Sequence, residues 1–350
     1  MAAPAVLRRA IAADDTVASD LSQMLMVGFD GKSADDRSAK QLAMHIGEGR
    51  VGSVFFVKAN VGTRRDVTNL VSLFIGNDAR LLVAIDHEGG AVQRLLEPHG
   101  FTRLPRARKV AAELSEVEAR QLYARAGSEL AELGFNLNFA PVVDLHDPEN
   151  PAIGHYGRSY SDNADIVAAY ATACVDGFAT AGVGCTLKHF PGAGRSHDDS
   201  HIDLPDVSST WRTDELRPYQ ALIASGRAGM VMLGHLRLDR IESAPIPATL
   251  SANVVTSLLR NQLGFTGIAV TDDLDMAAVT GMASRREAII QAIVAGNDLL
   301  MVRNAIVVDP DFPVDAIGWV EAAVNDGIVG REQIHRSAER VRAYKRALIG

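Results

Sequence analysis

Eight short apolar runs, separated by segments long enough for crossover helices, predict an α/β protein folded as one (β/α)8 barrel. Two regularities carry the prediction. Amphipathic helices recur with apolar residues on one face, and glycine recurs where each of them must end, just before the next apolar run. Alternating strands and helices imply a parallel sheet with right-handed crossovers, and eight units are the number that closes a barrel.

The first three runs cover residues 24–29, 54–57 and 81–85. Ser115, with Glu118 three residues on, forms a capping box that opens the clearest helix. That helix places Ala119, Leu122, Ala126, Leu130 and Leu133 on one face, stops at Gly134 and hands over to a fourth strand at 135–140. Ile166, Val167, Tyr170, Cys174 and Phe178 repeat the pattern up to Gly182 and a fifth strand at 183–187. Further copies end at Gly226, Gly264 and Gly296 and lead to strands at 230–233, 268–271 and 299–302. Two closing helices, 314–324 and 331–348, flank an Asn325-Asp326-Gly327 turn. The expected organisation is a single catalytic domain over 1–350, with a short N-terminal extension. A doubly wound open sheet is the competing fold, but Asp86-His87-Glu88-Gly89-Gly90 lacks the glycine spacing of a dinucleotide turn.

The chain is 47% hydrophobic and 22% charged, enough apolar material for a large core, and its net charge of -8 offers no basic field for nucleic acid or anionic lipid. Arg8 and Arg9 are followed by Asp14 and Asp15 before any apolar leader can form, so a cytoplasmic protein is expected. No stretch reaches the roughly 18 to 20 apolar residues of a membrane span. Cys174 and Cys185, the two cysteines present, read as core thiols.

In such a barrel the working residues follow the strands. Asp30, Asp86, Asp144, Lys188-His189, His235 and Thr271-Asp272-Asp273 all occupy such positions. Asp273 and Asp275 read as carboxylates at the start of a helix, where its dipole favours them, whereas Asp272 points from the strand end into the expected pocket. Residues 188–201 form a loop rich in Gly, His and Asp. A metal held by His197, Asp199 and His201 is disfavoured by their mixed spacing within one loop, and no metal or cofactor is expected. His201 suits proton transfer at neutral pH, with Asp199 two residues away to orient its ring.

Residues 188–201 resemble the Lys-His-Phe-Pro-Gly-His-Gly-x-x-x-x-Asp-Ser-His signature of glycoside hydrolase family 3. The resemblance is closest to its single-domain bacterial β-N-acetylglucosaminidases of peptidoglycan recycling. Supporting stretches lie at 23–29, 85–94, 138–144, 271–276 and 295–298. The resemblance implies removal of terminal β-linked N-acetylglucosamine through a covalent intermediate on Asp272, with His201 as general acid/base supported by Asp199. It assigns Asp86, Arg94, Arg158, Lys188 and His189 to holding the sugar, and a small carbohydrate or muropeptide as the partner. Three departures stand out: Ala193 replaces a histidine, Ala91 replaces an arginine, and His155-Tyr156-Gly157 reads as an insertion ahead of Arg158.

Other functions remain compatible with these residues. Phosphate in place of water would make the protein a phosphorylase, since an imidazole base does not repel it as a carboxylate would. A β-glucosidase-like specificity keeps the same machinery, and a non-catalytic sugar-binding barrel would need no nucleophile. A Schiff-base lyase on Lys188 is disfavoured by neighbouring aspartates, which hold the ammonium in its charged form.

Overall fold

The computed structural model describes residues 16–200, 202–305 and 307–350. Arg8, Arg9, Asp14, Asp15 and His201 therefore lie outside the described residues. Eight parallel strands form the barrel: β1 (Leu25–Val27), β2 (Ser53–Phe56), β3 (Leu82–Ile85), β4 (Leu137–Asn138), β5 (Gly184–Phe190), β6 (Met230–Leu233), β7 (Ile268–Thr271) and β8 (Leu300–Val302). They pair in the order β8-β1-β2-β3-β4-β5-β6-β7. Closure between β7 and β8 comes from a parallel bridge of Val270 with Leu299 and from Thr271 N–H donating to Leu299 C=O at 3.0 Å. The expected open-sheet alternative is thereby excluded.

The apolar runs are continuous because both faces of every strand are covered. Met26, Phe55, Met230, Met232, Ile268 and Val270 point inward and fill the barrel. Their neighbours Leu25, Val27, Val54, Phe56, Val231, Leu233 and Ala269 point outward against the helices. The period of two along each strand thus separates an inner core from an outer shell.

Each predicted helix forms. The Ser115 box caps helix Glu116–Glu132, with Ser115 N–H donating to Glu118 Oε2 at 2.8 Å and Glu118 N–H donating to Ser115 Oγ at 3.3 Å. Gly134, Gly182, Gly226, Gly264 and Gly296 all take positive φ, between 70° and 109°, as their place after a helix requires. The segment Asn253–Gln262 winds more widely than an α-helix, with Leu263 N–H reaching Leu258 C=O five residues back. That winding still buries Val254, Val255, Leu258 and Leu259, the residues that betray the helix in the sequence. Phe312–Asn325 and Arg331–Ile349 are the two closing helices.

The last helix also closes the end of the barrel opposite the strand C-termini. Tyr344 occupies the space that a side chain at Gly184 or Gly229 would need, and buried Lys345 donates to Gly52 C=O at 2.6 Å and to Gln23 Oε1 at 2.9 Å. Cys174 and Cys185 are buried free thiols. No helix among the described residues is long and apolar enough to cross a membrane.

Ser115→Ala removes the hydroxyl that accepts from Glu118 N–H and donates to the Glu118 carboxylate, which then keeps only the backbone N–H of residue 115. The substitution is expected to lower unfolding free energy by about 1 kcal/mol, read as a lower urea midpoint at unchanged slope.

Candidate active site

Seven of the eight strands, β2 to β8, send side chains into one cavity of about 520 Å³ at their C-terminal ends. Its floor is apolar, made by Phe55, Phe139, Met232 and Met301. Above them stand Asp86, Arg94, Arg158, Lys188, His189, Asp199 and Asp272, so every described residue in the sequence-based site meets here. Asp30 does not. It is exposed and lines a separate hollow with Asp36 and Asn304, because the chain after β1 turns outward toward helix Arg37–Gly47.

The polar wall is a ladder of alternating charge. Arg94 Nη2 donates to Asp86 Oδ2 at 3.0 Å, and Lys188 Nζ to Asp86 Oδ1 at 2.7 Å. Lys188 Nζ also lies 2.6 Å from Glu88 Oε1, and Arg158 grips both Glu88 oxygens at 2.8 Å. Burial alone would raise the Asp86 and Glu88 carboxyls, but the cations outweigh it: Asp86 falls well below the carboxylate range and Glu88 to about 2. Lys188 moves the other way. Burial would lower its pKa, but Asp86 and Glu88 raise it above the usual lysine value, so it is a fixed ammonium and not a nucleophilic amine. Glu88 was absent from the sequence-based site. The signal for it was its place two residues after Asp86 in an extended run, where alternate side chains share a face.

Lys188 and His189 are consecutive and would point to opposite faces of a regular strand. The pairing of β5 with β6 shifts register between Leu187 and Phe190, and both side chains line the cavity. His189 Nδ1 lies 2.8 Å from Asp144 Oδ2, an arrangement that keeps a proton on Nδ1 and turns the other edge of the ring to the cavity. Asp144 itself is fully buried beneath the loop. It accepts from His189 N–H at 3.2 Å and from Ala193 N–H at 2.7 Å, so it seats the loop and does not line the cavity.

Asp272 directly follows β7, its N–H donating to Leu233 C=O at 3.1 Å. Burial would raise its carboxyl, but His235, His189, the Asp273 N–H and Lys188 together lower it below the ordinary aspartate value. His235 holds Thr249 Oγ1 at 3.0 Å and Asp273 C=O at 2.9 Å through its two ring nitrogens. The Thr249 hydroxyl also lies 2.8 Å from Leu233 C=O and 3.0 Å from Gly234 C=O, so the His235 ring is fixed from both nitrogens against the backbone that follows β6 and β7.

Asp273 and Asp275 precede a helix, Ala277–Thr280, whose N-cap is Met276 and which takes no side-chain cap bond; their carboxylates are engaged elsewhere. Asp273 accepts from Asp275 N–H at 3.0 Å and Arg303 N–H at 2.9 Å, and burial raises its pKa to about 7. Asp275 binds Arg285 through both oxygens at 2.9 Å and accepts from Asn304 N–H at 2.8 Å. These bonds tie the loops after β7 and β8 together.

Asp199 is half-buried on the cavity wall; the expected pairing with His201 falls on a residue outside those described. His197 is exposed and faces Asp147 and Glu149, each at 4.0 Å. The loop is fixed from below by Asn150 Nδ2 donating to Ala193 C=O at 2.7 Å, by Trp211 Nε1 donating to Pro191 C=O at 3.1 Å, and by Arg195 on Asp214 at 2.8 Å. Glu215 completes this bed. It is fully buried, Leu145 N–H donates to its Oε2 at 3.1 Å, and Arg195 stands 3.6 Å from its Oε1.

Burial first, then the charge of Asp144, raises Glu215 to about 8, so it is largely neutral at pH 7. A carboxyl raised in the folded state contributes stability fully below its unfolded pKa of roughly 4.3, and that contribution is lost as pH climbs through the folded value. Glu215→Gln is therefore expected to reduce the fall in melting temperature between pH 5 and pH 8, measured calorimetrically beside the parent. An equal fall in both proteins would show that Glu215 ionises as freely folded as unfolded.

Comparison with known proteins agrees with this geometry. Residues 16–343 match the glycosyl hydrolase family 3 N terminal domain. A Beta-hexosaminidase of Xylella fastidiosa (strain 9a5c) is 35% identical over 318 residues, 88% of this chain and 91% of that protein. A family 3 beta-N-acetylglucosaminidase from Paenibacillus sp. str. FPU-7 superposes with a TM-score of 0.85 at 36% identity over 96% of this chain, which spans 63% of that protein. A Beta-N-acetylhexosaminidase from Beutenbergia cavernae DSM 12333 gives 0.83 at 32% identity, covering 95% of this chain and 99% of its own. With fold, strand-end pocket and sequence in agreement over nearly its whole length, the chain belongs to glycosyl hydrolase family 3, and it is a glycosidase.

Proposed function

We propose that the protein removes terminal β-linked N-acetylglucosamine with retention of configuration, through a covalent glycosyl intermediate on Asp272. The observation that carries the reading is a carboxylate held ionised in the same cavity as the Arg94-Asp86-Lys188-Glu88-Arg158 ladder. An ionised carboxylate is the form that attacks an anomeric carbon, and fixed polar groups beside it hold the ring hydroxyls and acetamido group in place. The names of the Xylella, Paenibacillus and Beutenbergia relatives support the choice of sugar.

In this mechanism His201, protonated and oriented by Asp199, gives its proton to the leaving oxygen as Asp272 bonds to the anomeric carbon. Neutral His201 then takes a proton from water, which attacks the same carbon and releases Asp272. Asp86, Arg94, Arg158, Lys188 and His189 bind the sugar, and Glu88 positions Lys188 and Arg158. One catalytic domain acting on peptidoglycan fragments in the cytoplasm is the setting we infer from the loop resemblance.

Release of fluorophore from aryl β-N-acetylglucosaminide and aryl β-glucoside, with and without phosphate, tests the reading. Phosphate-independent release from the N-acetylglucosaminide is expected; formation of sugar 1-phosphate would overturn hydrolysis in favour of phosphorolysis. Asp272→Ala is expected to lose activity by on the order of 10⁴-fold while keeping its circular dichroism spectrum. His201→Ala is expected to slow glycosylation less with activated aryl leaving groups than with sugars, because only the sugar oxygen needs a full proton. Glu88→Gln leaves Lys188 and Arg158 poorly matched and is expected to lower kcat/KM by about 10²-fold. Unchanged kinetics would remove Glu88 from the binding apparatus.

A further inference from the structure

Tyr156 belongs to the three residues that read as an insertion in the sequence, and the polar ladder does not use it. Its side chain is 49% exposed, and it is the one residue among the exposed large hydrophobics of the described chain that lines the catalytic cavity. Ligand-binding cavities are lined largely by apolar and aromatic side chains, and tyrosine combines an apolar ring with a polar tip.

The ring is held in place. His155 meets it edge-on, with centroids 4.9 Å apart at 90°. The loop is pinned by Asn150, whose Oδ1 accepts from Ala152 N–H at 3.0 Å and Ile153 N–H at 2.7 Å. Gly154 packs so tightly on Asp147 C=O that no side chain fits, and Gly157, at φ 63°, donates back to Gly154 C=O at 2.9 Å. The same Asn150 reaches Ala193 and Gly194 of the β5 loop at 2.7 and 3.0 Å, so one side chain joins the Tyr156 loop to the loop bearing Asp199.

Two residues further on, Arg158 is mostly buried and locked on Glu88 in the ladder. One loop therefore supplies a charged group to the depth of the cavity and an aromatic ring to its mouth. A terminal sugar held by the ladder at the depth of the cavity would have its leaving group toward the exposed mouth, where Tyr156 lines the wall. Pyranose rings expose an apolar face of C–H bonds that stacks on an aromatic face.

We propose that Tyr156 is the platform of a leaving-group subsite that binds a second pyranose ring, so that the protein favours substrates whose leaving group is itself a sugar. The inference rests on the hydrolase reading above.

The test compares the parent, Tyr156→Ala and Tyr156→Phe on methyl β-N-acetylglucosaminide, whose leaving group cannot reach the ring, and on di-N-acetylchitobiose. Tyr156→Ala is expected to lose about 10-fold in kcat/KM on the disaccharide, mainly through KM, with the methyl glycoside changed less than twofold. Tyr156→Phe is expected to retain parental values on both. Equal losses on the two substrates, or no loss on the disaccharide, would overturn the platform while leaving hydrolysis intact. A parent that cleaves neither substrate would overturn the hydrolase reading and the platform with it.

Discussion

The ammonium of Lys188 organises the catalytic face. It is 2% exposed, and a charge buried to that degree persists only when it is matched. Asp86 and Glu88 match it, and each carboxylate then has a second side free to hold a guanidinium, Arg94 on one and Arg158 on the other. Three cations and two anions leave one net positive charge in the ladder. That charge reaches Asp272, where Lys188 contributes to lowering the carboxyl pKa beside His235 and His189. Asp272 is lowered chiefly by His235, then by His189 and the Asp273 N–H, and Lys188 adds least.

A second buried carboxylate organises the loop. Asp144 gathers the backbone of His189 and Ala193 and the His189 ring, while Glu215 beside it is raised to about 8, by burial first and then by the charge of Asp144. Asp144 spends its acceptor capacity on the loop backbone, which leaves Lys188 and His189 to face the cavity. The Asn150 contacts extend this seat to the neighbouring loop, so Arg158 and Tyr156 share a support with Asp199.

Much of the fold was legible in advance. All eight apolar runs are barrel strands, and the five glycines placed after helices are left-handed. Residues deduced from the loop after β5 converge with Asp86 and Asp272 because strand ends in a closed parallel barrel have one shared cavity to face. What the sequence did not reveal was partner choice. Asp273 and Asp275 look like helix-start carboxylates from their spacing, yet Arg303, Arg285 and Asn304, some ten to thirty residues away in sequence, claim them. Asp30 satisfies the strand-end rule and still lies outside the cavity, because the direction of the chain after β1 is set by packing against the helix that follows.

Periodicity, glycine placement and the loop after β5 determined by themselves that this chain would form eight units and carry its chemistry at their ends. Those features are local, since each depends on residues a few positions apart and on the geometry of one element. Which carboxylate is charged, which seats a loop and which lines the cavity was decided only when the barrel closed. Asp86, Asp144, Glu215 and Asp273 are chemically similar acids in the sequence; burial and the nearest cation or carboxylate, brought in from other strands, push their pKa values in opposite directions or commit them to different bonds.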